Sequence, residues 1–62
     1  MVTLIVNSNI SVNREVYEKL TLKEFGMKLV ELSKKYILVF DYARNVEPEI
    51  ACEMIITIVA ER

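Results

Sequence analysis

Two stretches rich in β-branched, aromatic and aliphatic residues constrain the fold of this 62-residue chain more than any other feature. Residues 36–42 read YILVFDY, and residues 55–59 read IITIV. Side chains alternate between the two faces of a strand, so these stretches would present apolar groups to both faces. Consecutive β-branched residues also lose rotamer freedom in a helix and pack well in a sheet. We therefore expect both stretches to be strands, with residues 36–42 in the interior of a sheet.

A capping box predicts where a helix begins. Thr21 and Glu24 stand three residues apart, a spacing at which each side chain satisfies a backbone N–H of the first helical turn. Large apolar residues then recur at steps of three and four, which predicts one stripe facing the core: Leu22, Phe25, Leu29, Leu32 and Tyr36. Gly26 and Ser33 lie beside this stripe, where their small size would allow a close approach to another element.

The amino-terminal residues predict a first strand, and the segment after it has two interpretations. Residues 1–7 (MVTLIVN) follow a period of two, and Ser8 and Asn9 are turn formers. Residues 10–18 form either a second strand or a short separate helix. One continuous helix from Asn13 through the capping box would carry apolar stripes on two sides, so the strand is favoured.

The carboxyl-terminal residues 49–62 also fit two structures. As a helix, they would place Pro48 in the first turn and a stripe of Glu and Thr side chains on one face. As a strand, they would carry an alternating apolar face. The β-branched run at residues 55–59 favours the strand. Residues 43–48, between this segment and the previous strand, are expected to be a polar connection.

The predicted order is strand, strand, helix, strand, strand, in a single small α+β domain that spans residues 1–62. A helix between two strand pairs packs across one face of a mixed four-stranded sheet. This order is similar to the β-grasp architecture, and a helical carboxyl-terminal segment is the alternative. A likeness of fold alone implies no activity.

Side chains suited to catalysis or metal binding are few. The chain has no His, and its one cysteine, Cys52, falls on the apolar face of the last segment, where burial would keep it a thiol. Asp41 and Arg44 are a polar pair at the end of a predicted strand, and we expect them to pair with each other in a structural role. The glutamates of residues 47–53 lack the glycine-containing loop of a calcium site. We therefore expect no catalytic residue, no cofactor and no metal site, in a protein that is not an enzyme.

The excess of apolar residues predicts self-association. Hydrophobic residues make up 53% of the chain, and a domain of this size buries only about 60% of the surface that its unfolded chain exposes. A single cysteine excludes an internal disulfide, so a partner subunit is the remaining way to add buried surface. We expect a homo-oligomer whose interface includes one helix residue and five strand residues: Met27, Ile37, Val39, Ile55, Thr57 and Val59. The helix is then left for another protein.

A small nucleic-acid-binding regulator is the alternative function. Its patch would combine four basic residues with one aromatic residue able to stack on a base: Arg14, Tyr17, Lys23, Lys34 and Lys35. The net charge of -1 and the glutamates between these residues dilute the positive potential, so protein binding is favoured.

The sequence also carries hints about where the protein works. No apolar stretch approaches the roughly 20 residues that span a bilayer, and the first residues lack the features of a signal peptide, so we expect a cytoplasmic protein without a membrane partner. Abundant Ile, Val, Glu and Lys, together with the absence of Gln, His and Trp, are typical of proteins from hot environments.

Overall fold

The chain folds into four strands and one helix in the predicted order. The computed structural model describes residues 1–11, 13–46 and 51–62. Its elements are β1 (Val2–Ser8), β2 (Glu15–Leu20), α1 (Leu22–Lys35), β3 (Tyr36–Val46) and β4 (Ala51–Glu61). The strand interpretations of the second and last segments are therefore confirmed, although β2 begins and ends later than residues 10–18 would place it.

The four strands form one mixed sheet in the order β2-β1-β4-β3. β1 runs antiparallel to β2 and parallel to β4, and β4 runs antiparallel to β3. The chain leaves the first strand pair through α1, crosses one face of the sheet, and returns in the second pair, so the first and last strands lie side by side in the centre. This is the β-grasp-like arrangement that the order of elements predicts.

The core lies between α1 and the two central strands. Among the described residues, the buried side chains are all apolar and come from β1, β4 and the helix: Val2, Leu4, Val6, Leu32, Ile56 and Ile58. The parallel register sets Val6 beside Ile56, so alternate residues of both strands face the same side. Burying a side chain of this kind contributes about 1.5–3 kcal/mol. Leu4 and Ile56 have no exposed surface and lie at the centre of the cluster.

α1 begins at the predicted capping box. The Thr21 hydroxyl oxygen accepts a hydrogen bond from the Glu24 N–H at 3.1 Å, and Glu24 Oε1 accepts one from the Thr21 N–H at 2.9 Å. The helix ends where Tyr36 adopts an extended backbone and starts β3. Hydrogen bonds between residues three apart therefore fix the start of the helix. No helix in the described part of the chain is long and apolar enough to cross a membrane.

The predicted core stripe of α1 is wrong at its first member. Leu22 is 78% exposed, whereas Leu32 is buried and Phe25 is half-buried. The rotation of the helix accounts for the difference. Lys28 lies on the flank that faces the sheet, where its Nζ is 4.6 Å from the centre of the Tyr17 ring on β2. Leu22 lies on the other flank, about 80° around the helix from Leu32, and is left in solvent.

The small residues of α1 do not serve close packing. A Cβ atom placed on Gly26 would meet no atom within 4 Å. Ser33 is exposed, and its hydroxyl donates a hydrogen bond to the Val30 carbonyl at 2.8 Å. The expected close approach is therefore wrong, because there is open space at Gly26 and the Ser33 side chain is exposed.

β3 is an edge strand, and the prediction of an interior strand for residues 36–42 is wrong. β4 takes the interior position, because it pairs with β1 on one side and with β3 on the other. β3 also extends to Val46, so residues 43–46 belong to a strand and not to a polar connection. The rest of that predicted connection lies outside the described residues. The register shifts between Phe40 and Tyr42, so Asp41 is an extra residue that forms a bulge in β3.

β2, at the other edge, is also irregular. Its register with β1 shifts between Val2 and Leu4. Glu18 and Lys19 both lie opposite this step, where β1 has a single residue. Lys19 has a φ of 59°, in the left-handed region. That conformation costs a residue with a Cβ atom about 1–2 kcal/mol. The bulge and this strained residue distort the β2 edge.

Candidate interaction surface

Exposed apolar side chains concentrate on β3. Among the described residues, ten large hydrophobic side chains are exposed, and four of them belong to this strand: Ile37, Val39, Phe40 and Tyr42. Their exposed fractions run from 44% to 63%. An edge strand has a neighbouring strand on one side only, so its side chains are less covered than those of a central strand.

The face of the sheet turned away from α1 carries a second apolar surface, which we name the open face. The register places Val39 beside Thr57 and Tyr42 beside Ile55, and Ile5 of β1 lies on the other side of Ile55. The open face draws on all four strands: Ile5, Val16, Ile37, Val39, Tyr42, Ile55, Thr57 and Val59. Its members at the two edges are exposed, and its central members are half-buried by their neighbours. No described element packs over this face.

Five of the six predicted interface residues lie together on the open face. They are the strand residues Ile37, Val39, Ile55, Thr57 and Val59. Met27 does not join them, because it is 63% exposed on α1, on the other side of the sheet. Sequence reasoning misses Ile5, Val16 and Tyr42. The period of two along β1 is a signal for Ile5, whereas only the strand register reveals the other two.

A groove lies between α1 and the inner side of β3, and we name it the helix groove. Its walls are Leu29, Val30 and Ser33 of the helix and Tyr36, Leu38 and Phe40 of the strand, with Arg62 at one end. Phe40 is 63% exposed and Val30 is 54% exposed. The core cluster joins α1 to the central strands, so the helix stops short of covering the β3 edge. β3 is therefore exposed along its edge and on the open face. On the helix side Phe40 is also exposed, whereas Tyr36 and Leu38 pack against the core cluster.

Two of the four basic residues of the predicted nucleic-acid patch lie together. Lys23 and Lys34 line a shallow depression on the outward side of α1, together with Met27. Arg14 precedes β2 and Lys35 ends α1, and neither lines that depression.

Tyr17, the aromatic member of that patch, already has partners. Lys28 lies over its ring, and its hydroxyl donates a hydrogen bond to the Glu15 carboxylate. Lys28 also approaches Glu31 at 3.7 Å. The one ring that was expected to stack on a base is therefore already in contact with Lys28 and bound to Glu15.

Asp41 and Arg44 do not pair with each other, so that expectation is wrong. The Thr57 hydroxyl donates a hydrogen bond to the Asp41 carboxylate, and Arg44 approaches Glu53 at 3.5 Å. The bulge at Asp41 explains the exchange of partners, because it shifts the register so that Arg44 stands opposite Glu53. Both contacts join β3 to β4 and have a structural role.

The remaining chemical groups are unremarkable in their surroundings. Cys52 is half-buried on the core side of β4, beside Val2. Hydrogen bonding to the backbone and side chain of Thr21 lowers the pKa of Glu24 below its ordinary value. Within the described residues, no group of three or more acidic or cysteine side chains is arranged to hold a metal ion.

Comparison with models of known families, with curated proteins and with solved structures finds no match for this chain.

Proposed function

We propose that this chain is a non-enzymatic protein–protein interaction module that acts as a homo-oligomer in the cytoplasm. In this proposal it is a small adaptor, regulator or accessory subunit, and a second surface, on the helix side, is left for another protein. The observation that carries the proposal is the exposure of Ile37, Val39, Phe40 and Tyr42 on one edge strand.

Apolar exposure of this kind favours association. Removing apolar surface from water contributes about 25 cal/mol per Å². Soluble monomers rarely leave a contiguous apolar patch larger than a few hundred Å² uncovered. The open face joins three of the exposed residues of β3 to the half-buried Ile55 and Val59 in one surface. A second copy that covers the β3 end of this surface would stabilise a chain whose own core is small.

The polar groups near this surface support a role without catalysis. Asp41 is bound by Thr57, and Arg44 is bound by Glu53, so each of them ties β3 to β4. A general acid or base is a group held ready for a substrate proton. These four side chains instead stabilise the strand pair that displays the apolar residues.

Light scattering across a dilution series tests self-association. We expect a dimer or larger species at micromolar concentration, with a mass that falls toward the monomer value of 7.2 kDa on dilution. The midpoint of thermal unfolding should rise with protein concentration, because a partner that binds only the folded chain stabilises it. A folded species of monomer mass at every concentration would refute the proposal.

The nucleic-acid alternative has a separate test. Binding through Lys23 and Lys34 would release counterions, so the affinity for an oligonucleotide should fall steeply as salt is added. An affinity that ignores salt, or no binding at all, would exclude it. The contacts that Tyr17 makes with Lys28 and Glu15 weigh against this alternative.

A further inference from the structure

The two edges of the sheet differ in how they resist pairing with another strand. In β2, three of the six residues are charged, and the strand carries a bulge and a left-handed residue at Lys19. Charges, bulges and distortion are the features by which natural edge strands avoid pairing. Residues 36–40 of β3 (YILVF), which we name the edge segment, contain no charge, no proline and no glycine. No described strand lies beyond them.

The edge segment matches itself in an antiparallel pair. A two-fold axis at Leu38 sets Tyr36 opposite Phe40 of the partner subunit and Ile37 opposite Val39 of the partner subunit. Residues opposite each other in an antiparallel pair share a face, so the aromatic pair lies on the helix side and the β-branched pair lies on the open face. Both kinds of pair stabilise a sheet by roughly 0.2–1 kcal/mol each.

The charges next to the edge segment favour the same antiparallel orientation. Lys35 precedes the segment and Asp41 follows it, and both are exposed. Lys35 ends α1 and Asp41 is the bulge residue, so neither takes a regular position in the strand pair. In an antiparallel pair of two edge segments, each end nevertheless brings Lys35 near Asp41 of the partner subunit. The complementary charges therefore favour a second copy of this chain as the occupant.

The surroundings of the edge segment leave room for that copy. Leu32 anchors α1 over the central strands, and the helix groove stays open beside Phe40. Pairing of two edge segments would bring the helix grooves of two subunits together, so that Val30 and Phe40 lose solvent exposure. The two helices would lie on the same side of the joined sheet.

We infer that a second copy of this chain pairs with the edge segment, antiparallel and with the axis at Leu38, to give a continuous eight-stranded sheet. The inference rests on the proposed function and deepens it, because it names the surface and the register of self-association. The outward side of α1 then remains available to a different protein.

A mixed cross-linking experiment tests the register. Two variants are made in a Cys52→Ser background, one with Ile37→Cys and one with Val39→Cys, at positions that are 44% and 45% exposed. Opposite residues of an antiparallel pair have Cα atoms about 4.5–5.5 Å apart, within the range of a disulfide. Diagonal neighbours are about 7–8 Å apart, which is too far. We expect a disulfide-linked dimer when the two variants are mixed and oxidised, and far less of it with either variant alone.

Two lysine variants test the surface. Val39→Lys places a charge in the proposed pair, and Val16→Lys is its matched control, because Val16 is also an exposed valine on the open face, at 49%, but on β2. We expect Val39→Lys to weaken dimerisation by tenfold or more and Val16→Lys to leave it unchanged. Circular dichroism of both variants confirms that they are folded.

The outcomes separate this inference from the proposed function. A wild-type chain that is monomeric at every concentration overturns both. A wild-type dimer that survives Val39→Lys, or that gives no cross-link between the mixed variants, overturns the inference and leaves self-association standing. Loss of the dimer with Val16→Lys alone assigns the interface to the β2 side of the sheet, and this result also overturns the inference.

Discussion

Two leucines of the same helix should respond very differently to the same substitution. Leu32 is 8% exposed and belongs to the core cluster, whereas Leu22 is 78% exposed. Leu→Ala in a core costs about 2–5 kcal/mol, and we expect about 2–3 kcal/mol for Leu32→Ala, since its half-buried neighbours can partly fill the space. A chain of this length has a total stability of roughly 3–9 kcal/mol, so this loss is a large part of it. Leu22→Ala should cost less than about 0.5 kcal/mol, because the side chain is mostly in water and alanine favours a helix.

Urea and thermal unfolding, followed by circular dichroism, measure the difference. The two variants are compared at one protein concentration, because association adds to the apparent stability. For a domain of this size, each 1 kcal/mol shifts the unfolding midpoint by about 4–8 °C, so Leu32→Ala should unfold at least about 6 °C below Leu22→Ala. Equal losses for the two variants would contradict this orientation of α1.

Substitutions at three further positions test local features of the backbone. Thr21→Ala removes the cap and should cost about 1 kcal/mol in urea unfolding at neutral pH. The Glu24 pKa is lowered in the folded state, so the stability that Glu24 contributes is present above its unfolded pKa and is lost as the pH falls through its folded pKa. The effect of Thr21→Ala should therefore become smaller in acid. An effect that grows in acid would contradict the capping box. Gly26→Ala should raise stability by up to about 1 kcal/mol, because nothing lies where the new Cβ atom would be, and a loss of stability would show a close contact. Lys19→Val should lose about 1–2 kcal/mol while Lys19→Gly loses almost none, as expected for a left-handed residue, and thermal unfolding that ranks them the other way would exclude that conformation.

Local interactions are the part of this fold that the sequence predicts best. The capping box joins residues three apart, so Thr21 and Glu24 alone determine where α1 begins. The β-branched run of β4 likewise selects a strand through the rotamers of its own side chains. The order of elements follows from these local preferences and leads to the sheet with one helix on one face.

Features that depend on distant residues could not be predicted in this way. Apolar residues on both faces of β3 suit an interior strand as well as an exposed edge strand. Only the order of strands in the sheet shows that β3 lies at the edge. The rotation of α1 depends on how its apolar residues pack against distant strands, and Lys28 contacts Tyr17, eleven residues away in the chain. Tyr42 should share a face with Phe40 by alternation, but the bulge at Asp41 places it on the open face.

The candidate surface was therefore predicted only in part. Ile37 and Val39 follow from the composition of one strand, and the structure places them where an exposed edge meets the open face. Met27 was assigned to the same surface because it is an apolar residue on a polar side of the helix. Which side of the sheet that helix covers depends on the whole fold, so the sequence could not separate Met27 from the strand residues.

Amide hydrogen exchange at two protein concentrations tests most directly whether β3 binds a second copy. In an edge strand, the amides that point away from the sheet exchange with water, and pairing with another strand protects them. At the higher concentration, we expect slower exchange at outward-pointing amides of residues 36–40 and no change in β2. Equal exchange of β3 amides in the dimer and the monomer would show that β3 does not bind a second copy.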